Sequence, residues 1–532
     1  MQLGINLDMP RYYTTQQWCD RRPTASALRK MYGTGTIGLN GWPVGPCQVT
    51  ANYYLDPGEN DYVMVITKGA ASKIIVSQVN SAGAPINVPA NVVNGVATFK
   101  ATGKENASWA ISVVTTDPGE TRWALVCADE LDAWKADPLA FSPSWIARYK
   151  GFSDVRFMDW MKTNDNKTPD YPERDPLENF QAFAGGVPIS LIVKFAKQTG
   201  IAPWICIPAQ ASDDTVRSIM KRLESLKGVI TVTVEYANEV WNTDFMAHTY
   251  AVSQDKVLLT TNASSLTTNT TPTADGYRWY GYRATQISKI IQDAGWKLGQ
   301  DFKMALGCQP AQPSKAVSVW DGVKMAGGSG ATHFSRWIIT GYIWGTLTSD
   351  DAVTLPLVRA NDLAGGYANL MTVGGMSVAG MPANYAKHKQ IAADNGGLEV
   401  CWYEGNAHLH TIPHYATTNL VARGVTDLTQ DDVQRYFANL HRGAGMADVM
   451  AANLKAAEDA GISVACLFND QGKFGTAGCF GLYGTPGWDA VVKYIADHAV
   501  KPPTELDAIN AAIAELRAQL DALAVRVQAL AA

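Results

Sequence analysis

Two stretches of the sequence end on a glutamate that stands beside amide or aromatic residues. The first is VTVEYANEVWN, Val232 to Asn242, which starts as a β-branched run and ends on Asn238 and Glu239 next to Trp241. A carboxylic acid can transfer a proton, an amide can bind a hydroxyl group, and an indole can stack on a sugar ring, so this combination suits carbohydrate chemistry. Taken alone, Glu239 could also be a surface glutamate that follows a core strand.

The second stretch is LEVCWYEGN, Leu398 to Asn406, a mostly apolar run that ends on Glu404 with Trp402, Tyr403 and Gly405 around it. One such stretch could arise by chance, but two are much harder to explain in that way. Hydrolysis of a glycosidic bond uses a pair of carboxyl groups, which these two stretches could supply.

Composition limits the classes of function that need to be considered. A formal net charge of −5 gives no electrostatic basis for binding nucleic acid. The eight cysteines include no CxxC pair, so the spacing of a zinc site is absent, and several lie in apolar runs, so we expect a reduced protein with few or no disulfides. The sequence has neither a basic and apolar leader nor a run of 18 apolar residues, and we expect no signal peptide and no membrane span.

The elements that must position the two glutamates follow an alternating pattern of apolar strands and amphipathic helices. Eight strands are predicted, at residues 3–7, 154–159, 202–208, 230–239, 302–308, 336–342, 398–404 and 462–470. Helices are predicted between them, for example at residues 190–199, 213–226, 277–294 and 429–460. Eight such strands predict an α/β fold, a closed (β/α)8 TIM barrel, formed by residues 1–32 and 128–500. Glu239 then ends the fourth strand and Glu404 the seventh, and both face the C-terminal mouth where such barrels carry their catalytic residues.

Residues 33–127 have a different texture, with short alternating strands separated by turn signals such as DPGEN and NSAGAP. This spacing predicts an antiparallel β-sandwich inserted after the first barrel strand. A carbohydrate-binding module and a stabilising or spacing insert are both compatible with it.

Residues 504–532 follow two prolines and carry apolar side chains at alternating intervals of three and four, from Leu506 to Leu530. This pattern predicts a coiled coil, and its a positions lack a consistent β-branched layer, which favours a homotrimer over a dimer. A single amphipathic helix that folds back onto the barrel is the alternative.

The pairing of Asn238-Glu239 on the fourth strand with Glu404 on the seventh resembles clan A of the glycoside hydrolases, whose family five is the best-known branch. The motifs GINL, LNGWP, VRFMDWM and VEYANEVWN also resemble a group of uncharacterised bacterial and phage proteins that are often labelled cellulose-binding. These motifs begin at Gly4, Leu39, Val155 and Val234, and the similarity extends over roughly residues 1–500.

The clan resemblance implies that Glu404 is the nucleophile and Glu239 the acid/base of a retaining mechanism. Retention requires the two carboxyl groups to lie about 5 to 5.5 Å apart, and repulsion between them raises the pKa of the one that acts as acid. The resemblance also implies that Asn238 binds the sugar 2-hydroxyl.

Further residues are predicted to bind substrate or support the two acids. Arg156 could keep the nucleophile ionised or form a salt bridge inside the barrel with Asp159, and Tyr342 could donate to the nucleophile or merely pack. The remaining candidates are sugar-stacking or sugar-contacting side chains: Trp160, Trp241, Trp344, Trp402 and His408. His408, His410 and His414 lack a partnered acid, so we predict no metal site and no cofactor, and loop histidines that contact sugar or solvent are favoured.

The sequence therefore predicts a retaining glycosidase that cleaves β-glycosidic bonds of a polysaccharide substrate. Its other predicted partners are two further copies of the same chain, in a homotrimer. A polysaccharide-active barrel with an oligomerising tail and no export signal fits a phage tail protein in the virion, and an extracellular enzyme remains open. The alternatives are a non-catalytic glycan-binding receptor-recognition or adhesion protein on the same barrel, and a structural virion protein.

Overall fold

The protein is described here by a computed structural model that covers residues 1–8, 17–18, 20–21, 28–53, 55, 58–79, 87–103, 108–164, 166–171, 173–180, 183, 185–261, 273–472, 474–475 and 478–498. The chain divides into two units, Met1–Val491 and Val492–Ala532. The predicted coil at residues 504–532 lies outside the described residues. Within those residues, no helix combines the length and apolarity that crossing a bilayer requires.

Eight parallel strands form a closed barrel, in which each strand pairs with the next and the first pairs with the eighth. Nearly every residue of these strands is buried, because side chains on one face fill the barrel and those on the other pack under the helices. The strands are Gln2–Asn6, Asp154–Arg156, Ala202–Ile207, Val232–Tyr236, Phe302–Gly307, Arg336–Thr340, Glu399–Glu404 and Val464–Leu467. All eight predicted strands are therefore confirmed, and with them the (β/α)8 architecture.

Helices follow or connect the barrel strands. Their bounds among the described residues are Leu131–Ala136, Pro143–Ala147, Ile189–Thr199, Asp213–Leu223, Met246–Thr261, Tyr277–Asp293, Ala316–Met325, Gly330–His333, Asp351–Ala360, Leu363–Thr372, Met381–Asp394, Thr417–Ala422, Gln430–Arg442, Gly445–Asp459 and Pro486–His498. The single helix predicted at residues 429–460 is wrong, because the chain is extended at Gly443. A Cβ atom there would lie 2.1 Å from the hydroxyl of Tyr367, so the break is tied to close packing.

The insert after the first strand contains antiparallel sheets, as predicted. A five-stranded sheet runs in the order Arg29–Gly33, Cys47–Tyr53, Ser108–Thr115, Ala71–Val79 and Asn87–Asn91, and a three-stranded sheet in the order Arg122–Cys127, Gly58–Lys68 and Val96–Gly103. A short hairpin pairs Thr36–Ile37 with Pro43–Val44. The first sheet begins at Arg29 rather than at the predicted boundary of residue 33, because Arg29 pairs with Thr50.

The sandwich is attached to the barrel through the loop that follows the second barrel strand. Phe180 from this loop is buried in the sandwich core, with its ring centroid 4.9 Å from that of Trp42. Its backbone N–H donates to the carbonyl of Asn40 at 2.9 Å. Arg122 of the sandwich pairs with Glu178 of the same loop at 2.6 Å. The insert is therefore packed against a loop at the C-terminal end of the barrel.

Charged side chains occupy the barrel interior in two layers. In the lower layer, Arg336 donates to Asp154 at 2.7 Å and to Thr233 at 2.8 Å. In the upper layer, Arg156 lies among acidic and amide side chains. Because buried charges are stable only when they are paired, the barrel positions these groups tightly.

Candidate active site

A cavity of about 780 Å³ opens at the C-terminal ends of the barrel strands. Among the described residues, its lining comes from the ends of every strand except the third. The polar and aromatic residues that line it include Asp8, Asp159, Asn164, Asn238, Glu239, Asn242, Phe245, Gln309, Tyr342, Trp344, Tyr403, Glu404, His408, Asn469 and Phe480. Both predicted catalytic glutamates therefore line the same cavity.

Glu239 reaches the cavity through an unusual turn of the backbone. The fourth strand ends at Tyr236, and the next residues include two in the left-handed region, Ala237 with φ 57° and Glu239 with φ 41°. Non-glycine residues rarely adopt this conformation, and it concentrates at functional sites. The turn leaves Glu239 half-buried, where its carboxyl accepts hydrogen bonds from the hydroxyl of Tyr403 at 2.8 Å and from Nδ2 of Asn242 at 3.0 Å.

Glu404 is the last residue of the seventh strand and is only 5% exposed. Its Oε1 accepts from Nη1 of Arg156 at 2.8 Å, and its Oε2 accepts from the hydroxyl of Tyr342 at 2.9 Å. Burial raises the pKa of Glu404 to about 8, and the charge of Glu239 acts in the same direction, whereas Arg156 and Tyr342 lower it. Glu404 is therefore held at the cavity wall by one charged and one neutral donor.

Arg156 lies beneath the cavity and is fully buried. Its Nε and Nη2 donate to both oxygens of Glu235, at 2.9 and 2.8 Å, and Nη2 also donates to Oδ1 of Asn238 at 2.8 Å. Its Nη1 donates to Glu404 at 2.8 Å and to Asn6 at 3.0 Å. These five bonds use the five N–H groups of a guanidinium. Arg156 is therefore a partner of Glu404, which confirms the prediction that it contacts the proposed nucleophile. It does not line the cavity, so it cannot bind substrate directly.

Asn238 and Asp159 both line the cavity, where substrate binding was predicted for them. Asn238 is held on two sides, because its Oδ1 accepts from Arg156 and its Nδ2 donates to Asn164 at 3.0 Å. Asp159 is half-buried at the end of the second strand. The salt bridge inside the barrel that was predicted as the alternative for Arg156 is present, but its acid is Glu235 and not Asp159, because the acceptors of Arg156 are Glu235, Glu404 and two asparagines.

The wall beside Glu404 is aromatic and contains Tyr342, Trp344 and His408, all of which were predicted site residues. The ring of His408 lies 4.9 Å from that of Tyr342 and 4.6 Å from that of His410, measured between centroids. Burial lowers the pKa of His408 to about 3, with a further contribution from His410, so the imidazole is neutral at neutral pH. A neutral imidazole in this position can donate and accept hydrogen bonds.

Three tryptophans predicted as sugar platforms do not line the cavity, and the prediction is corrected for each. Trp160 is fully buried in a stack with Trp18 and donates its N–H to the carbonyl of Asp8. Trp402 is also fully buried, since Gly341 and Gly405 leave room for its ring.

Trp241 is 9% exposed, and its ring stacks on that of Tyr277 with the planes 8° apart. Its ring centroid also lies 6.5 Å from that of Tyr403, whose hydroxyl donates to Glu239. All three tryptophans therefore belong to the hydrophobic core. A ring next to a strand end can pack against the surrounding elements of the barrel instead of facing the cavity.

Some residues of the site were not predicted from the sequence as site residues. They include Glu235 beneath the cavity, Tyr403 and Asn242 on Glu239, Asn164 on Asn238, and Asn6 on Arg156. The alternation of the fourth strand contains a signal for Glu235, because Thr233 and Glu235 both point into the barrel. Asn6 and Tyr403 carry no such signal.

The described residues contain no group of three histidine, cysteine, aspartate or glutamate side chains that could hold a metal ion. His410 bonds to the carbonyl of Ile412, and His414 pairs with Asp351 at 2.9 Å. These histidines therefore have protein partners of their own.

No protein-family model matches the sequence, and no curated protein matches it. Similar solved structures include the CBM22-1–GH10 modules of a Clostridium thermocellum endo-1,4-β-D-xylanase complexed with xylohexaose, at 12% identity and a TM-score of 0.39 over 90% of this chain and 95% of that chain. An α-L-arabinofuranosidase from Thermotoga maritima is 10% identical with a TM-score of 0.36, over 67% of this chain and 64% of that chain. A Bacteroidetes-affiliated GH5 cellulase is 14% identical with a TM-score of 0.35, over 66% of this chain and 84% of that chain. These values are too low to assign a function, which is inferred below from the geometry of the site.

Proposed function

We propose that the protein is a glycoside hydrolase that cleaves β-glycosidic bonds of a polysaccharide with net retention. The observation that supports this most strongly is that Glu239 and Glu404, from the ends of the fourth and seventh strands, line one cavity. Each carboxyl has its own tyrosine donor, Tyr403 for Glu239 and Tyr342 for Glu404. Glycoside hydrolysis uses two carboxyl groups on either side of the scissile bond, and this cavity has two that are held independently of one another.

Glu404 acts as the nucleophile. Arg156 and Tyr342 donate to its two different oxygens, so the carboxyl is fixed in orientation and its ionised form is stabilised. Because burial raises the pKa of Glu404 to about 8, the fraction of enzyme with an ionised nucleophile increases as the pH rises towards that value. One of its oxygens forms a bond to the anomeric carbon while the bond from that carbon to the leaving oxygen breaks. The products of this step are a glycosyl ester on Glu404 and a leaving group that needs a proton.

Glu239 supplies that proton and later removes one from water. Its half-buried position gives it access to the leaving oxygen and then to solvent. Once Glu404 is esterified, its charge is gone, and Glu239 loses its proton more easily. The resulting carboxylate takes a proton from water, whose oxygen attacks the anomeric carbon and releases Glu404 with retained configuration.

Asn238, Asp159, Trp344 and His408 bind the sugar. The amide of Asn238 is held by Arg156 and Asn164, and one N–H of its Nδ2 remains for the sugar 2-hydroxyl. Trp344 and His408 contribute ring faces and a neutral imidazole to the cavity wall. This mixture of apolar rings with a few polar groups is typical of small-molecule sites.

The proposal is tested by measuring reducing-sugar release from capsular, exo- and plant polysaccharides, followed by mass analysis of the products. Wild type should release oligosaccharides and Glu404→Gln should not. Glu399→Gln is the matched control, because Glu399 begins the same strand at its opposite end and pairs with Lys303. If wild type releases nothing but binds a glycan, the non-catalytic adhesion function replaces this proposal.

We also propose that the enzyme is a homotrimer that works on a phage tail or outside the cell. The support is the heptad pattern of residues 506–530. Sedimentation equilibrium should give three times the monomer mass for wild type and a lower mass for the double variant Ile513→Lys/Leu520→Lys. Ala518→Lys, at the heptad position opposite the apolar seam, should leave the mass unchanged; a monomeric wild type would contradict the trimer.

A further inference from the structure

Glu235 is a buried acid that the proposed mechanism does not use. It is 2% exposed, lies inside the barrel below the cavity, and does not line the cavity. Its carboxyl accepts two hydrogen bonds from Arg156, one from Nε1 of Trp204 at 2.9 Å and one from the thiol of Cys206 at 3.5 Å. A carboxyl with four donors is built to carry a negative charge.

Arg156 is shared unequally between two acids. Glu235 takes a two-pronged pair of hydrogen bonds from it, whereas Glu404 takes a single one. The two-pronged arrangement is the stronger of the two geometries. The single positive charge of Arg156 therefore faces two buried carboxyl groups. The one that it binds with the better geometry is Glu235, which does not line the cavity.

We propose that Glu235 is a positioning residue that fixes the guanidinium of Arg156 and, by neutralising most of its charge, sets the pH at which Glu404 becomes ionised. The role of Glu404 as nucleophile rests on the proposed function. The electrostatic link between the three side chains does not depend on it.

The groups that face this cluster come from every side of the barrel. Those that titrate or carry charge are Cys206 on the third strand, Glu239 after the fourth, Tyr280 from a helix, Tyr342 after the sixth, Tyr403 on the seventh, Cys466 on the eighth, and the Arg336–Asp154 pair below. The tyrosines and thiols have raised pKa values through burial and stay neutral. Among the described groups, Arg156 is the cation that bonds to Glu404.

A shared cation leaves Glu404 basic. A carboxylate that monopolises an arginine ionises at low pH and becomes a weak nucleophile, because the pairing that stabilises its charge must be given up as the new bond forms. Glu404 instead has a pKa raised to about 8 by its burial, and Arg156 reduces this only in part. If Glu235 were neutral, Glu404 would receive the whole charge of Arg156 and its pKa would fall.

The test is a titration that needs no substrate. Glutamate labelled with ¹³C at the side-chain carboxyl is introduced into the full chain, and the signals of Glu404 and Glu235 are assigned by their loss in Glu404→Gln and Glu235→Asp. In wild type, Glu404 should take up its proton well above the ordinary pKa of about 4.3. In Glu235→Gln, the pKa of Glu404 should fall by about one unit or more.

Two controls separate this role from a purely structural one. Glu235→Asp keeps the charge near Arg156 and should leave the pKa of Glu404 within a few tenths of the wild-type value, although the shorter side chain loosens the arginine. Glu399→Gln removes a carboxyl from the opposite end of the same strand, where Glu399 pairs with Lys303 and Arg336 rather than with Arg156, and should change the pKa of Glu404 by a few tenths at most.

The proposal is overturned if Glu404 of the wild type titrates in the ordinary range, or if Glu235→Gln leaves the titration of Glu404 unchanged. The first outcome needs no Glu235→Gln protein, so it can overturn the proposal even if that variant fails to fold. If the titrations come out as expected but the wild type cleaves no polysaccharide, the proposed function fails and the electrostatic role of Glu235 stands.

Discussion

The ends of the fourth and seventh barrel strands carry the same side chain in opposite settings. Glu404 at the seventh strand is buried, bonded to a cation and a tyrosine, and has a raised pKa. Glu239 at the fourth strand is half-buried, bonded to a tyrosine and an amide, and sits on a left-handed backbone. Each glutamate is held by two donors, but only Glu404 has a charged one.

The difference matches the two tasks of a retaining glycosidase. A nucleophile must keep one position and carry a charge that water does not shield, which a buried carboxylate with a charged partner achieves. An acid/base must exchange protons first with a leaving group and then with water, which a half-exposed carboxyl with neutral partners allows. Burial of an ionisable group lowers protein stability at Glu404, and backbone strain lowers it at the turn that carries Glu239.

The largest expected effect is the loss of activity in the two glutamate variants, which should differ in how they can be rescued. Glu404→Gln should reduce kcat/KM by about 10⁴-fold or more on every substrate, since no nucleophile remains. Glu239→Gln should be comparably inactive on polysaccharide but should still cleave an aryl glycoside whose leaving group needs no proton. Added azide should raise its turnover further, because azide needs no general base.

The measurement is aryl release with and without azide, with the sugar chosen from the products of wild type. The glycosyl azide formed by Glu239→Gln should have the configuration of the substrate. Rescue of Glu404→Gln rather than Glu239→Gln would exchange the two roles.

The second expected effect is on stability and should be confined to the buried glutamate. Because the pKa of Glu404 is raised on folding to about 8, the folded state holds a proton that the unfolded state loses near 4.5. The contribution of Glu404 to the stability of the wild type therefore falls as the pH rises from about 4.5 to 8. A glutamine at this position does not titrate, so the variant has no such loss. Glu404→Gln should gain about 4 kcal/mol over wild type between pH 5 and pH 9, because the pKa difference acts over nearly three pH units of that range.

Urea unfolding at the two pH values measures this gain. Glu239→Gln is the matched variant and should gain less, because water still hydrates the carboxylate that it replaces. An equal gain for both variants would contradict the conclusion that Glu404 is shielded from water and Glu239 is not.

The third effect compares the two tyrosines that donate to the acids. Both hydroxyls have pKa values raised by burial, so both remain donors at working pH. Tyr342→Phe removes a bond to a buried charge, worth about 1.5 to 3 kcal/mol, and should lower kcat/KM roughly 10- to 100-fold. Tyr403→Phe should cost about threefold or less, because water can replace its hydroxyl beside the half-exposed Glu239. Reversed magnitudes in steady-state kinetics would show that Glu239 is the drier site.

The architecture and the two glutamates could be predicted from sequence because their signals are local and periodic. A buried parallel strand is a short apolar run, and all eight were found at nearly their observed positions. Parallel strand ends converge at one rim, which brought Glu239 and Glu404 to one cavity without any knowledge of side-chain positions.

The rest depends on packing across the barrel, which sequence patterns do not reveal. Trp160 and Trp402 stand beside strand ends, but whether a ring faces the cavity or the helices depends on neighbours distant in sequence, such as Trp18 and Gly341. Arg156 was expected to meet Glu404 or Asp159, yet its dominant partner is Glu235, 79 residues away. The left-handed turn at Ala237 carries no glycine that could have marked it.

That turn gives the smallest of the expected effects. Ala237 with φ 57° occupies a conformation that costs an L-residue about 1 kcal/mol or more, and glycine would remove most of this cost. The greater freedom of glycine in the unfolded chain offsets part of the gain, so Ala237→Gly should raise the free energy of unfolding by at most about 0.5 kcal/mol.

Ala407, buried after the seventh strand, has no such backbone, and Ala407→Gly should lower stability by about 0.5 to 1 kcal/mol. Urea unfolding of the two variants compares the strand ends directly. If the turn also fixes the direction of Glu239, Ala237→Gly should lower kcat modestly while leaving KM unchanged, because the relaxed backbone holds the acid less firmly. A stabilised variant with full kcat would show that the strain at the fourth strand only accommodates the packing of Trp241 and has no part in aiming the acid.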